Sequence, residues 1–232
     1  MSFVLPVAAP ASVAVEGSGD ARFAVRRIYC VGRNYVEHAV EMGFTGREPP
    51  FFFLKPADAV LPVREGTVGE MHYPSLTHEL HHEVELVVAI GRGGRDIAAA
   101  DALSHVWGYA VGLDMTRRDL QGEMKKQGRP WCIGKAFDES APIGELRPAA
   151  QCHIDADTEI RLDVNGQPRQ HSRIGKLIWS IPEIIEHLSK AWTLAPGDLI
   201  YTGTPEGVAA VGRGDLLSAS VAGVGTLQVE VA

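Results

Sequence analysis

The chain has 232 residues, 45% hydrophobic and 22% charged, a composition that fits one substantial core, or a core plus a small N-terminal piece. A formal net charge of −7 argues against a nucleic-acid surface, which needs a basic stripe, and no apolar run approaches the ~20 residues of a membrane helix. Cys30, Cys132 and Cys152 are odd in number and contain no CxxC, so we expect reduced thiols and a cytoplasmic protein.

The first 25 residues lack a basic n-region and carry Pro6 and Pro10, which argues against a signal peptide. We expect residues 1–25 to form an extended arm or short strands leading into a domain over 26–232. Arg26 to Val31 has the pattern of a strand and runs into GRNYVEHAVEMG. There Asn34 is a suitable N-cap for a short helix from Tyr35 to Met42, with Gly43 ending it. On such a helix His38 and Glu41, three apart, share a face. A carboxylate beside an imidazole fixes its tautomer and raises its basicity, which a general base requires, although a surface His with a chance Glu neighbour gives the same spacing. Two turns are marginal in isolation, so this segment is a candidate lid that orders over a ligand.

FFFLKPADAVLP follows, most simply as core, with one Phe available to line a pocket. In HELHHEVELVVAI, Glu83 and Glu85 are two apart and alternate with Val84, Leu86, Val88 and Ile90. In a strand of period two both carboxylates face one way and all four aliphatics the other. Two like charges buried side by side repel, so something positive must face them, and a hard divalent cation does this better than one Lys. The alternative is a solvated face with both carboxylates salt-bridged to Arg117 and Arg118. Tyr109 to Leu113 is a second strand, and Asp114 at its end supplies a third carboxylate. Three carboxylates without His or Cys at ligand spacing suit Mg²⁺ or Mn²⁺, not Zn²⁺.

The glycines of GRGGRD (91–96) follow no βαβ pattern and indicate a turn, not a phosphate cradle. TRRDLQGEMKKQG is helix-compatible, and Lys135 stands in the apolar context WCIGKAF, where it needs an anionic partner or a depressed pKa unless it snorkels to the surface. Asn165-Gly166 marks a type I′ hairpin. Ser180 and Glu183 form a capping box before the apolar stripe Ile181, Ile184, Ile185 and Leu188. The strand LIYTGT then enters TGTPEGV, a loop able to aim amides and hydroxyls at a carboxylate. Strands are many, helices few, and neither βα alternation nor a repeat is visible. We therefore expect a mainly β fold with peripheral helices, of the α+β class.

GRNYVEHAVEMG, LKPADAV, HHEVELVV, GYAVGLDMTRRDLQ, GKAFD and LIYTGTPEGV, in this order, resemble the fumarylacetoacetate hydrolase superfamily from about Arg26 to the C-terminus. The likeness is greatest to its short acylpyruvate hydrolases. The resemblance implies a mixed β-roll or sandwich core and a homodimer. It places metal ligands at Glu83, Glu85 and Asp114, a lid dyad at His38 and Glu41, and an active-site lysine at Lys135. Substrate contacts fall at Arg118, Gln121 and Thr204. The implied activity is Mg²⁺- or Mn²⁺-dependent hydrolysis of a C–C bond in a 2,4-dioxo acid. The expected case is fumarylpyruvate to fumarate and pyruvate in gentisate-type aromatic catabolism. Oxaloacetate decarboxylation, hydration or isomerisation of a 2-oxo acid, and keto-acid binding by a regulatory protein without turnover are the alternatives. A distal substrate carboxylate would need a cation, for which Arg33, Arg47, Lys126 and Arg129 are candidates.

Overall fold

The computed structural model describes residues 3–35 and 47–232. Two sheets carry the fold. The larger is mixed, in the order Phe51–Lys55, Arg27–Gly32, Asp198–Tyr201, Val84–Ile90, Val106–Leu113, Ala141–Ile143 and Val60–Pro62, with Arg147–Pro148 pairing beside the Val106–Leu113 strand. The second has five strands, ordered Gln167–Arg173, Glu159–Val164, Leu216–Val221, Gly225–Val231 and Val68–Met71. A short ribbon of Thr116–Arg117, Leu80–His81 and Ala210–Val211 closes one end.

The alternation predicted for HHEVELVV is present, but neither face meets water. All seven residues of Val84–Ile90 are buried. Leu86, Val88 and Ile90 join Val111, Ile160, Leu162, Leu217 and Val229 in the core between the two sheets. Val87 and Ala89 face the other way, against Ile28, Cys30, Leu199 and Tyr201. The carboxylates thus point into a second packed layer, and the half-buried strand expected from sequence is buried on both sides. The five-stranded sheet is one-sided: Leu217, Ala219 and Val221 enter the core while Ser218 and Ser220 alternate outward.

Local signals hold where the chemistry is local. Asn165 and Gly166 have φ of 52° and 74°, the left-handed pair a type I′ turn demands. The helix Ile181–Ala191 starts with the Ser180–Glu183 capping box and buries Ile181, Ile184, Ile185 and Leu188. The Asn34 amide donates to the carbonyls of Trp179 (3.0 Å) and Thr202 (2.8 Å) and accepts from the Trp179 N–H (2.8 Å), so it ties the end of strand Arg27–Gly32 to the loops before Ser180 and after Tyr201. The proposed helix itself, with His38 and Glu41, lies outside the described residues. Residues 12–14 and 22–24 form a hairpin whose Val13 packs with Val25 on the second core layer. No helix among the described residues is long and apolar enough to cross a membrane.

Gly112 pairs with Glu85 across the sheet. A Cβ there would stand 2.5 Å from Val87 Cγ2 and 2.7 Å from the Tyr201 ring. Gly112→Ala should therefore destabilise the fold by about 1–3 kcal/mol through overpacking, measurable as a lowered denaturant midpoint with an unchanged m-value.

Candidate active site

Antiparallel register brings the acidic residues together. Val84 pairs with Leu113, and the Asp114 N–H donates to the Glu83 carbonyl at 2.9 Å, so Asp114 leaves its strand beside Glu83. Period two puts Glu85 on the same side. The outcome is a cluster in which one oxygen each from Glu83, Glu85 and Asp114 lies within 4.8 Å of the others. Their exposures are 5%, 2% and 1%. The solvated-face alternative is thereby overturned, although one of its contacts is real: Arg118 does pair with Glu83. Arg117 instead lies 4.4 Å over the Phe137 ring.

Three cations answer the three carboxylates. Lys135 Nζ donates to Glu83 Oε2 at 2.9 Å and to Asp114 Oδ2 at 2.7 Å. Lys55 Nζ lies 2.8 Å from Asp114 Oδ1 and also donates to the Met115 carbonyl at 3.1 Å and to the Lys135 carbonyl. Arg118 closes the set on Glu83 and donates to Gln121 Oε1 at 2.6 Å. Burial opposes a charge on Lys135, but the Asp114 and Glu83 carboxylates outweigh it and hold its pKa above the usual lysine value. Of the options raised by its apolar context, an anionic partner is the one realised. Among the described residues no lysine forms an ion pair with Glu85. Burial first, then the charges of Asp114 and Glu83, push its carboxyl well above the ordinary range. The Gly203 N–H donates to its Oε2 at 2.7 Å. Gly203 can do so because its φ is +102°, where a Cβ would also meet Asn34 Cβ at 2.7 Å.

Glu83, Glu85, Asp114, Arg118, Gln121, Lys135 and Thr204, each singled out in the sequence, line one small cleft of about 30 Å³. Arg33, Phe53 and Trp131 line it too. The same three residues and Lys135 also line a wider neighbouring cleft of about 510 Å³, walled by Phe51 and Phe52 and by Arg129. The phenylalanines thus line a cleft, while Phe52 and Phe53 also pack against the core as expected. Of the four candidate distal cations, Arg47 is bound to Glu183 and lies 4.2 Å over the Trp179 ring. Lys126, at the end of helix Arg118–Lys126, lines neither cleft.

Sequence reasoning missed Lys55, His82 and Gln170. Lys55 sits in FFFLKP, an apolar context like the one that flagged Lys135, so the same rule would have found it. Gln170 carries no such signal, because its partners lie 34 to 88 residues away.

Hard oxygen donors, buried together around a carboxylate whose charge is poorly tolerated, fit a divalent cation of the Mg²⁺ or Mn²⁺ type. Comparison with known proteins agrees with this chemistry. A family model described as "Fumarylacetoacetate (FAA) hydrolase C-terminal" matches residues 27–232. The chain belongs to the fumarylacetoacetate hydrolase family. A fumarylpyruvate hydrolase from Pseudomonas aeruginosa, crystallised with Mn²⁺ and pyruvate, is 56% identical and superposes with a TM-score of 0.97, covering 100% of this chain and 99% of that one. The rat protein named oxaloacetate tautomerase FAHD1, mitochondrial, is 44% identical over 206 residues, 89% of this chain and 91% of the relative. A 5-carboxymethyl-2-hydroxymuconate delta-isomerase from Mycobacterium smegmatis is 37% identical with a TM-score of 0.78, covering 91% of this chain and 80% of that one. The mainly β architecture with few helices is the one expected of this family.

Removing Lys135 leaves Glu83 and Asp114 short of a buried partner. Lys135→Met should lower the unfolding free energy by about 3–5 kcal/mol in EDTA. Mn²⁺ should restore part of that loss by supplying positive charge, so denaturant midpoints with and without the ion measure both effects.

Proposed function

We propose that this protein is an acylpyruvate hydrolase, cleaving fumarylpyruvate to fumarate and pyruvate in a divalent-metal-dependent reaction. The observation that carries this reading is the buried cluster of Glu83, Glu85 and Asp114, with Lys135 against it, in a chain 56% identical to an enzyme of that activity. Glu83, Glu85 and Asp114 would hold the ion, and a bound cation supplies Lewis-acid polarisation of the 2-oxo acid end. Mg²⁺ and Mn²⁺ share the required oxygen chemistry, and the Mn²⁺ in the Pseudomonas structure favours testing that ion first.

The charges of the site suit the leaving group. Lys55, Lys135 and Arg118 match the three carboxylates in number. With Arg33 on the same cleft, a divalent ion would leave a net positive site, which suits the carboxylate and the developing enolate of departing pyruvate. Lys135, held charged by its neighbours, donates where that negative charge gathers, an interaction stronger in the transition state than in the ground state. Arg118 and Gln121, already joined to each other, orient the carboxylate end, and Thr204 donates to an anionic substrate oxygen. His38, with Glu41, takes a proton from the attacking water; this assignment rests on their spacing in GRNYVEHAVEMG. The acyl tail then lies in the wide aromatic cleft, where Arg33 and Arg129 face its distal carboxylate. Three free cysteines support a cytoplasmic setting, and the family resemblance supports a homodimer acting in aromatic catabolism.

Oxaloacetate tautomerisation is the second reading, favoured by the 44% identical rat relative. Carbon count separates the two. Incubated with Mn²⁺, the protein should release stoichiometric pyruvate and fumarate from fumarylpyruvate, and EDTA should abolish release. Turnover of oxaloacetate between its tautomers without any pyruvate from acylpyruvates would replace the hydrolase reading. His38→Ala should reduce cleavage by roughly 10²–10⁴-fold while leaving Mn²⁺ affinity unchanged. Near wild-type cleavage by that variant would remove His38 from the water-activating role.

A further inference from the structure

Gln170 is fully buried on a strand whose neighbours Gln167, Pro168, Arg169 and His171 are exposed. Its amide is saturated. Oε1 accepts from the Val84 N–H at 3.0 Å and faces His82 Nδ1 at 2.9 Å. Nε2 donates to the Pro205 carbonyl at 2.8 Å and to Thr204 Oγ1 at 2.8 Å. A side-chain amide offers two acceptor lone pairs and two N–H donors, and all four are engaged here.

Two of these partners cannot change roles. The Val84 amide only donates and the Pro205 carbonyl only accepts, so the two ends of Gln170 cannot be exchanged by a flip. His82 must in turn present Nδ1–H to Oε1, a bond made inside the fold, where His82 is fully buried. The consequence falls on Thr204. Its oxygen accepts from Gln170, so its own proton is directed elsewhere, and no acceptor among the described residues takes it. Thr204 lines the cleft that holds Glu83, Glu85, Asp114 and Lys135.

We propose that Gln170 is a positioning residue, locked by the Val84 amide and His82, that fixes the Thr204 hydroxyl as a hydrogen-bond donor aimed into the cleft. Its target is an anionic oxygen of the substrate, a carboxylate or an oxyanion. A freely rotating hydroxyl would present either a lone pair or a proton, and a lone pair repels an anion. The preset orientation removes that choice before substrate arrives. The proposal rests on the acylpyruvate reading of the site, and its test includes a binding measurement that does not depend on turnover.

Four proteins are compared: wild type, Gln170→Glu, Thr204→Val and the double variant. Gln170→Glu keeps the oxygen that faces Val84 and His82 but turns the arm facing Thr204 from donor to acceptor. Two quantities are read, kcat/KM for fumarylpyruvate and pyruvate affinity by calorimetry, both in Mn²⁺. Gln170→Glu and Thr204→Val should each lower at least one quantity by about 10- to 100-fold, the range for one hydrogen bond to a charged group. In the Thr204→Val background Gln170→Glu should change that quantity by less than about twofold, since its effect runs through the lost hydroxyl. Additive losses would overturn the proposal by assigning Gln170 a purely structural role, and wild-type values for Gln170→Glu in both quantities would overturn it outright. Gln170→Met, which buries no new charge, repeats the cycle should Gln170→Glu fail to fold. A wild-type protein that cleaves no acylpyruvate but binds pyruvate with the same non-additive pattern would sink the hydrolase reading and leave the role of Gln170 standing.

Discussion

Three buried carboxylates held within 4.8 Å of one another are the constraint around which the remainder of this molecule is arranged. Like charges so placed repel strongly and lose their hydration, so the fold must deliver compensation from several directions at once. It does so from well-separated parts of the chain. Lys55 ends an edge strand, Lys135 ends a short helical turn, and Arg118 opens the helix that leaves the Asp114 turn. Each cation has more than one partner: Lys55 two backbone carbonyls besides Asp114, Arg118 Gln121 besides Glu83, and Lys135 two carboxylates. The ammonium and guanidinium groups are fixed in place, not floating as counter-ions, and fixed charges are what a reacting substrate can use without reorganisation.

Compensation is uneven, and the unevenness has chemical meaning. Glu83 and Asp114 each share Lys135 and each have a second cation, whereas Glu85 receives one backbone N–H from Gly203. Burial, and after it the charges of Asp114 and Glu83, drive the Glu85 carboxyl well above its ordinary range. A cluster whose carboxylates were merely structural would satisfy all three alike. The unmet demand for positive charge lies at Glu85, on the strand shared with Glu83, and a divalent ion entering there relieves the repulsion that burial created.

How much of this was legible in the sequence follows from the range of each interaction. Period-two spacing of Glu83 and Glu85, the Asn165-Gly166 turn and the Ser180–Glu183 box are set within a few residues, and they stand as read. Burial of the carboxylate face was not visible, because it depends on Ile28, Cys30 and Leu199 arriving from distant strands. The bonds of Asn34 to Trp179 and Thr202, some 145 and 168 residues on, carry no signal in the local sequence. Lys55 was readable and overlooked. Gln170 was not readable, since a polar residue on an otherwise exposed hairpin strand looks solvent-facing until the opposing sheet is in place. The seven described site residues were reached through motifs, and only the cross-strand register of Val84 with Leu113 explains why those motifs meet.

The relatives named as hydrolase, tautomerase and isomerase share one difficulty, which locates where their differences must lie. Each substrate is a 2-oxo acid or its enol, and moving a proton beside the ketone or breaking the adjacent C–C bond both place negative charge on the same oxygen. On the reading proposed above, the floor of the cleft, with its carboxylates, Lys135 and Arg118, would serve that oxygen and would not by itself distinguish the reactions. Discrimination belongs to what surrounds the floor. One element is a group that activates water, which hydrolysis needs and tautomerisation does not. The other is room for an acyl tail, which the 510 Å³ aromatic cleft provides directly beside Lys135. A site specialised for a four-carbon keto acid has no use for such a volume, so the cleft walled by Phe51, Phe52, Trp131 and Arg129 weighs toward a longer substrate.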